Sequence, residues 1–311
     1  MKHVVSISLG SSERDHAVET EILGEKFLIE RRGTDGDINK AIQLFKEMDG
    51  KVDAFGLGGI DLYIYAGQKR YTFRDAEKII RHIRHTPVVD GSGLKNTLER
   101  KVVHYLAQEY GYDLKGKKVL MVCAVDRFGM AEALIEEGSD VTFGDMIFAL
   151  GIPVPLKSIK SLNRLARVLC PVITKLPFKM LYPTGNRQKE ESQERFNSFY
   201  EEADIIAGDF HYIRKYLPKD IHGKLILTNT VTSRDVEMLK SRGAWMLVTT
   251  TPNLNGRSFG TNVMEAVLVS LSDKKPAELT PADYDRLLDQ IGFVPRIEIL
   301  NPVQESQTIV L

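Results

Sequence analysis

What constrains this chain most is the regular exchange of apolar strand and amphipathic helix through its second half. VLMVCAV, residues 119–125, is an apolar run without polar alternation, the pattern of a parallel strand covered on both faces. A helix is predicted at about 128–137, a strand at 140–145 and a longer helical region at 158–175. KMLYP (179–183), DIIAGD (204–209), KLILTNT (224–230) and WMLVTTT (245–251) are further strand candidates. Helical stretches at 188–202 and 232–242 separate most of them, with a shorter piece at 210–217. Such alternation implies a parallel sheet with helices on both sides.

The first half mixes the same elements with hairpins. Residues 3–9 read as a buried strand and 16–32 as a hairpin turning at Gly24, with period-two alternation in AVETEIL. Asp37 opens an amphipathic helix, residues 54–59 form a short apolar strand ending in glycines, and 61–73 form a second hairpin turning at Ala66-Gly67. A helix at 74–84 and a strand end at 87–91 follow. Leu94, Leu98, Val102, Tyr105 and Leu106 then share one helical face, leading into the polar loop 113–118. After Asn262 a helix runs to about Leu271, and Thr280-Pro281-Ala282-Asp283 opens another with a capping-box start. The tail from Arg296 adds an edge strand or stays irregular.

The fold class is therefore α/β: an N-terminal α/β substrate domain (1–92), a connecting helix and loop (93–115) and a Rossmann-like doubly wound parallel-sheet domain (116–261). Residues 262–311 supply C-terminal helices and a tail expected to pack back on the first domain.

Lys plus Arg number 42 and Asp plus Glu 42, so no cationic excess exists to neutralise nucleic acid or an anionic membrane. Two cysteines, Cys123 and Cys170, lie in apolar stretches and read as buried thiols of a reducing, cytoplasmic setting. The first ten residues read as a strand rather than a signal peptide, and no apolar run reaches the ~18 residues of a membrane span. A small-molecule substrate and a homodimer are the expected partners, and no metal site is expected.

The densest constellation is VLMVCAVDRFGMAEALIEEGSDVTFGD. A buried strand meets a tight turn and a helix N-terminus, whose unpaired N–H groups suit a pyrophosphate. The second strand ends in Asp145, 21 residues after Ala124, at the spacing of an acid that holds a ribose hydroxyl. The three positions of the glycine fingerprint fall on Ala124, Asp126 and Gly129. A carboxylate at the second position opposes phosphate, so Asp126 is expected to turn away, cap the helix or exclude the anion, with Arg127 offsetting it. Thr228, Asn229 and Thr250, at later strand ends, complete the cofactor candidates, for NAD or NADP with NAD favoured because Asp145 repels a 2′-phosphate.

The loop after the last of these strands carries Arg257 and leads to Asn262 at a helix start, groups suited to a phosphate, a carboxylate or a nicotinamide amide. Asp90, in Asp90-Gly91-Ser92-Gly93-Leu94-Lys95-Asn96, pairs with Lys95 as a candidate acid–base couple, and Asn96 as a substrate contact. Gly58 and Gly59 bend a strand end, and Ser11 and Ser12 follow the first strand; all four are substrate-side candidates.

The layout resembles the shikimate and quinate dehydrogenase family, most broadly its firmicute-type group labelled quinate 5-dehydrogenase. Asp90-Gly91-Ser92-Gly93-Leu94 is similar to the segment carrying that family's catalytic aspartate. Asp113–Leu120 is similar to its run-in to the cofactor strand, and Ser12 with His16 to its N-terminal substrate motif. The resemblance implies a substrate domain followed by an NAD(P) domain, with hydride transfer to or from a hydroxylated cyclic carboxylic acid. The family's lysine motif is not recognisable: Lys51 and Lys69 are present outside it. A fainter resemblance links Gly58-Gly59 and Met264-Glu265-Ala266 to cyanobacterial acyl-carrier-protein reductases, but no cysteine stands near the start of that helix. The alternative to an oxidoreductase is a non-catalytic nucleotide- or metabolite-binding protein on a Rossmann scaffold.

Overall fold

The computed structural model describes residues 1–66, 69–177, 196–251, 253–254, 257–258 and 260–302, with the side chains of 66, 253–254 and 257–258 outside the description. Two compact units emerge: Met1–Lys95, Arg167–Gln188 and Gly260–Phe293 form the first, and Asn96–Ala166, Lys189–Phe259 and Val294–Leu311 the second.

The first unit is built on β1 (Lys2–Ser8), β2 (His16–Ile22), β3 (Glu25–Gly33), α1 (Ile38–Met48) and β4 (Ala54–Gly58). A hairpin of β5 (Tyr63–Ala66) and β6 (Lys69–Thr72), then α2 (Arg74–Ile80) and β7 (Val88–Val89), complete its N-terminal part. The sheet order is β2-β3-β1-β4-β7, parallel throughout except for β2 against β3. β1 is central and buried on both faces from Val4 onward; β2 alternates half-buried and exposed residues because it lies at the edge. α1 starts where Asp37 accepts hydrogen bonds from the Asn39 and Lys40 amides, which removes two of the orphan donors of its first turn. Its Phe45 meets Phe55 of β4 edge-to-face, with centroids 5.0 Å apart.

α3 (Ser92–His104) begins in the first unit and continues into the second. The chain then runs through β8 (Lys118–Met121), α4 (Phe128–Glu136), β9 (Asp140–Phe143), α5 (Ile159–Ile173), which passes from the second unit into the first at Arg167, and α6 (Asn197–Glu201). It continues with β10 (Ile205–Gly208), α7 (Phe210–Tyr216), β11 (Leu225–Thr228), α8 (Ser233–Ser241), β12 (Met246–Thr249) and a short ladder of β13 (Asn253–Leu254) and β14 (Arg257–Ser258). After α9 (Thr261–Leu271) and α10 (Pro281–Gln290), β15 (Arg296–Ile299) closes the chain's described part. The order is β15-β12-β11-β10-β8-β9, parallel apart from the antiparallel edge strand β15. This is a doubly wound, Rossmann-like sheet; Phe148 packs against Phe196, Tyr200 and Tyr216 in its core.

Several boundaries differ from the sequence reading. The strand expected over 119–125 ends at Met121: the Val122 amide still bonds the Ala207 carbonyl, and the chain then closes a turn from the Arg127 amide to the Ala124 carbonyl. The strand expected over 140–145 ends at Phe143, and Asp145 opens a wide helical turn, Asp145–Ala149. The helix expected over 74–84 stops at Ile80. The block 262–311 divides: α9 and α10 belong to the first unit, β15 to the second. The first segment of the first unit ends inside α3, at Lys95, rather than at 92. The strand candidate 179–183 and the first part of the 188–202 helix lie outside the described residues.

Candidate functional site

In an open parallel sheet a ligand crevice forms at the carboxyl end where neighbouring strands send their connections in opposite directions. In the second unit β8 leads outward to β9 and β10 leads the other way to β11. The crevice therefore lies between the turn after Met121 and the loop at Gly208-Asp209. Gly208 has φ +130°, and a Cβ there would lie 2.8 Å from the Val122 side chain, so the two loops meet at a distance only glycine allows.

Asp145 reaches this turn from the end of β9. Its Oδ1 accepts the Ala124 and Val125 amides, both at 2.9 Å, and its buried Oδ2 has no hydrogen-bond partner among the described residues. Burial pushes its pKa up to about 6, against the opposing pull of the two amides. Cys123 lies 3.7 Å from the same Oδ1. Burial and then Asp145 push the Cys123 thiol well up, so it is neutral and unreactive near pH 7.

Arg127, expected to meet phosphate, points elsewhere: it is buried and paired with Glu99, and its Nη2 lies 3.0 Å from Asp209. Burial alone would lower its pKa, but Glu99, Asp126 and Asp209 outweigh that and raise it. Asp126 is not the cap of α4. Arg127 holds the cap position, and among the described residues the helix start has no side-chain capping hydrogen bond. The helix start thus offers N–H groups to an anion, with Asp126 as the opposing charge beside it. Gly129 is set against Asn96: a Cβ would collide with the Asn96 side chain and carbonyl. Gly129→Ala is expected to destabilise the chain by about 1–3 kcal/mol, read as a lower urea midpoint at unchanged slope, because α3 backbone must shift.

At the neighbouring strand ends, Thr228 donates to the Gly208 carbonyl at 2.8 Å. The Asn229 amide donates to Asp209 at 2.8 Å while its carbonyl accepts the Phe210 amide. Thr250 is fully buried and its Oγ1 has no partner among the described residues. The structure thus gathers Ala124, Asp126, Arg127, Gly129, Asp145, Thr228, Asn229 and Thr250 in one unit, at the carboxyl ends of adjacent strands. Asn96 belongs with them through Gly129.

The other candidates, apart from Arg257 of the second unit, lie in the first unit. Asp90 is a structural knot: Oδ2 accepts the Leu62 and Tyr63 amides at 2.5 and 3.0 Å, and Oδ1 the Ser92 amide and hydroxyl at 3.1 and 2.6 Å. Lys95 Nζ lies 3.8 Å from Asp61 and apart from any bond to Asp90. Asn262, expected to meet substrate, donates to Ser6 Oγ at 2.8 Å and fills the space above Gly56 and Gly58, so those glycines let α9 settle on β4. Gly59 has φ +74°. The Ser12 amide and hydroxyl both go to Asp35, and Ser11 Oγ accepts the Glu13 amide. The Arg257 side chain lies outside the described residues.

Sequence reasoning missed Glu99 and Glu265. Glu265 is buried on α9, accepting Tyr284 Oη at 2.6 Å and the Gly91 amide at 2.7 Å. Burial, then the nearby Asp90, push its pKa up to about 8. The signal was present: it is the sole carboxylate in the apolar run Val263–Leu268. Among the described residues no group of three or more His, Cys, Asp or Glu is arranged to hold a metal, and no helix is long and apolar enough to cross a membrane.

No curated protein matches this chain. Among the solved structures that are similar, three illustrate the low identity. A galactofuranose-binding protein matches 94% of this chain and 99% of its own at 12% identity and a TM-score of 0.35. The NAD-dependent malic enzyme of Thermotoga maritima matches 93% of this chain and 84% of its own, at 11% identity and a TM-score of 0.33. The bifunctional FolD methylenetetrahydrofolate dehydrogenase/cyclohydrolase of Campylobacter jejuni matches 93% and 85%, at 13% identity and a TM-score of 0.28. Residues 3–90 match a domain of unknown function, DUF8753. Residues 93–300, which include all of the described crevice of the second unit, match another domain of unknown function, DUF8754, and the chain belongs to that family.

Proposed function

We propose that the second unit binds a nicotinamide dinucleotide and that the chain is an oxidoreductase acting on a hydroxylated carboxylic acid. The observation that carries this reading is Asp145: an acid at the second strand's end, 2% exposed, with one oxygen on the turn amides and the other without a partner among the described residues. That second oxygen suits a ribose hydroxyl donor, and the uncapped start of α4 suits the diphosphate. NAD is favoured over NADP because a 2′-phosphate beside Asp145 is repelled.

Bound nicotinamide would supply the hydride chemistry, and the chain binds and orients it. Asp90, with four protein donors on its carboxylate, is better suited to holding the β7–α3 turn than to moving a proton. Lys95 beside Asp61 is then the better candidate for proton transfer to a substrate hydroxyl. Quinate and shikimate remain the first substrates to try, on the sequence resemblance alone. A second reading, a non-catalytic nucleotide or metabolite binder, is favoured by the same saturation of Asp90 and by the pairing of Arg127 with two acids.

Thermal-shift titrations with NAD, NADP, ADP-ribose and adenosine test the binding, since a ligand at a hundred times its Kd adds about 2.7 kcal/mol. Turnover at 340 nm with quinate or shikimate then separates enzyme from binder. No shift with any dinucleotide overturns both the cofactor and the oxidoreductase. Asp126→Asn is expected to tighten dinucleotide binding about tenfold. A like charge ~5 Å from phosphate costs up to about 3 kcal/mol, less where water screens it.

A further inference from the structure

The charges of this chain balance overall but not locally. From Met146 to Lys189 the sequence carries eight Lys or Arg and no Asp or Glu, in a chain with 42 of each kind. The described part of that stretch contains α5, which buries Leu162, Ala166 and Cys170 at four-residue steps along one face. On the opposite face Arg164 is followed four and eight residues on by Val168 and Val172, all three exposed, with Val168 at 69%. Lys160 and Arg167 flank this row, and Lys175 follows in the turn after the helix; these three are exposed as well. Among the described residues none of the four cations of α5 and its following turn is held in an ion pair.

Apolar exposure is concentrated in the same stretch. Eleven large apolar side chains are exposed among the described residues, and five of them lie between 150 and 172, against six in all the rest. Leu150, Ile152 and Val154 stand at alternate positions of the loop that leads into α5, and Val168 and Val172 stand on the helix itself.

Aliphatic side chains in water and cations without counter-charges are both unfavourable to leave as they are. An anionic lipid interface accepts the two together: acyl chains cover the aliphatic groups, and headgroups neutralise the Lys and Arg tips. The long basic side chains suit this because their stems lie against apolar surface while their heads stay with the headgroups. The exposed apolar groups are Leu, Ile and Val, and Leu and Val are under-represented among the anchors of protein–protein interfaces, so a lipid surface fits better than an acidic protein. A balanced net charge speaks against membrane attraction for the chain as a whole, but one cationic and apolar face is enough for a local contact.

We propose that the outer face of α5, with the loop 150–154 that leads into it, rests on an anionic lipid surface, so that the protein lies on a membrane without spanning it. The face uses none of the crevice residues and does not depend on the dinucleotide reading.

The test is co-sedimentation of the full chain with phosphatidylcholine vesicles, with and without phosphatidylglycerol, at low and at physiological salt. Binding is expected only where phosphatidylglycerol is present, and is weaker at the higher salt. Arg164→Gln is expected to weaken it about fivefold, since one Lys or Arg at a charged membrane contributes about 1 kcal/mol. Val168→Asp and Ile152→Asp, both at exposed positions, are each expected to weaken it at least about tenfold, by losing apolar burial and adding a repelled charge. Lys219→Gln, at an exposed lysine outside the stretch, leaves it unchanged. Circular dichroism and thermal unfolding establish that each variant is folded. No sedimentation with phosphatidylglycerol, equal sedimentation without it, or binding that Arg164→Gln and Val168→Asp leave intact overturns the proposal. Binding to poly-glutamate but not to vesicles also overturns it, in favour of an acidic protein partner.

Discussion

Replacing Arg127 by methionine is expected to destabilise the protein by about 3–5 kcal/mol, the usual cost of removing one partner from a buried ion pair. Glu99 is 1% exposed and Arg127 3%, so neither charge can regain water in the folded state. Asp209 is 22% exposed and relaxes more easily, which is why most of the penalty falls on Glu99. Urea denaturation at pH 7 measures the effect as a lower midpoint at unchanged slope. Adding Glu99→Gln to Arg127→Met is expected to restore part of the loss, because the stranded carboxylate is then gone. A loss under about 1 kcal/mol, the range of exposed pairs, would mean that water reaches the pair.

The second large effect is a fall in stability with rising pH. A free glutamate titrates near 4.5, while Glu265 in the folded chain titrates near 8. Between those values the native state holds a proton that the unfolded state has released, so stability drops as pH rises through the interval and levels off above it. At 1.36 kcal/mol per unit the upper bound is about 5 kcal/mol. Asp145 adds a fall of the same sign, confined between about 4 and its folded value of about 6. The stretch from pH 6 to 8 therefore belongs to Glu265, and Glu265→Gln is expected to flatten it and to leave below pH 6 only the part of the slope that Asp145 contributes. Thermal unfolding across a pH series reads this directly. A wild-type profile flat from 6 to 8 would mean that Tyr284 and the Gly91 amide hold Glu265 ionised.

Much of this architecture was legible because local chemistry and global fold agree. The hairpin over 16–32 follows from alternation around Gly24, and β2 pairs with β3 in that register. Thr280 and Asp283 form the capping box that their spacing predicts. The helices at 128–137 and 232–242 lie within a residue or two of expectation. Strand ends were harder: Val122–Val125 is as apolar as β8 itself, so hydropathy gives no sign that the chain turns out of the sheet there.

The candidate site was only half legible. Spacing placed Asp145 beside Ala124, and the structure brings them into contact at 2.9 Å. Spacing could not say which groups Arg127 would meet, since Glu99 is 28 residues before it and Asp209 82 after. Nor could it say that Asp90 would be saturated by Leu62 and Tyr63, supplied by a loop whose fold depends on the sheet. Loop glycines misled in a consistent way: Gly58 and Gly129 read as places for a ligand, and each instead admits an asparagine of a packed helix.

The most direct test of the dinucleotide reading is isothermal titration of NAD at pH 6 and pH 8, in two buffers of different ionisation enthalpy, on wild-type protein and Asp145→Asn. A ribose hydroxyl donating to Asp145 favours the ionised carboxylate, so binding at pH 6 is expected to release a fraction of a proton, and at pH 8 almost none. Asp145→Asn is expected to bind at least about tenfold more weakly and to release none. Absence of binding heat at either pH, or identical affinity and proton release in the variant, would contradict the account.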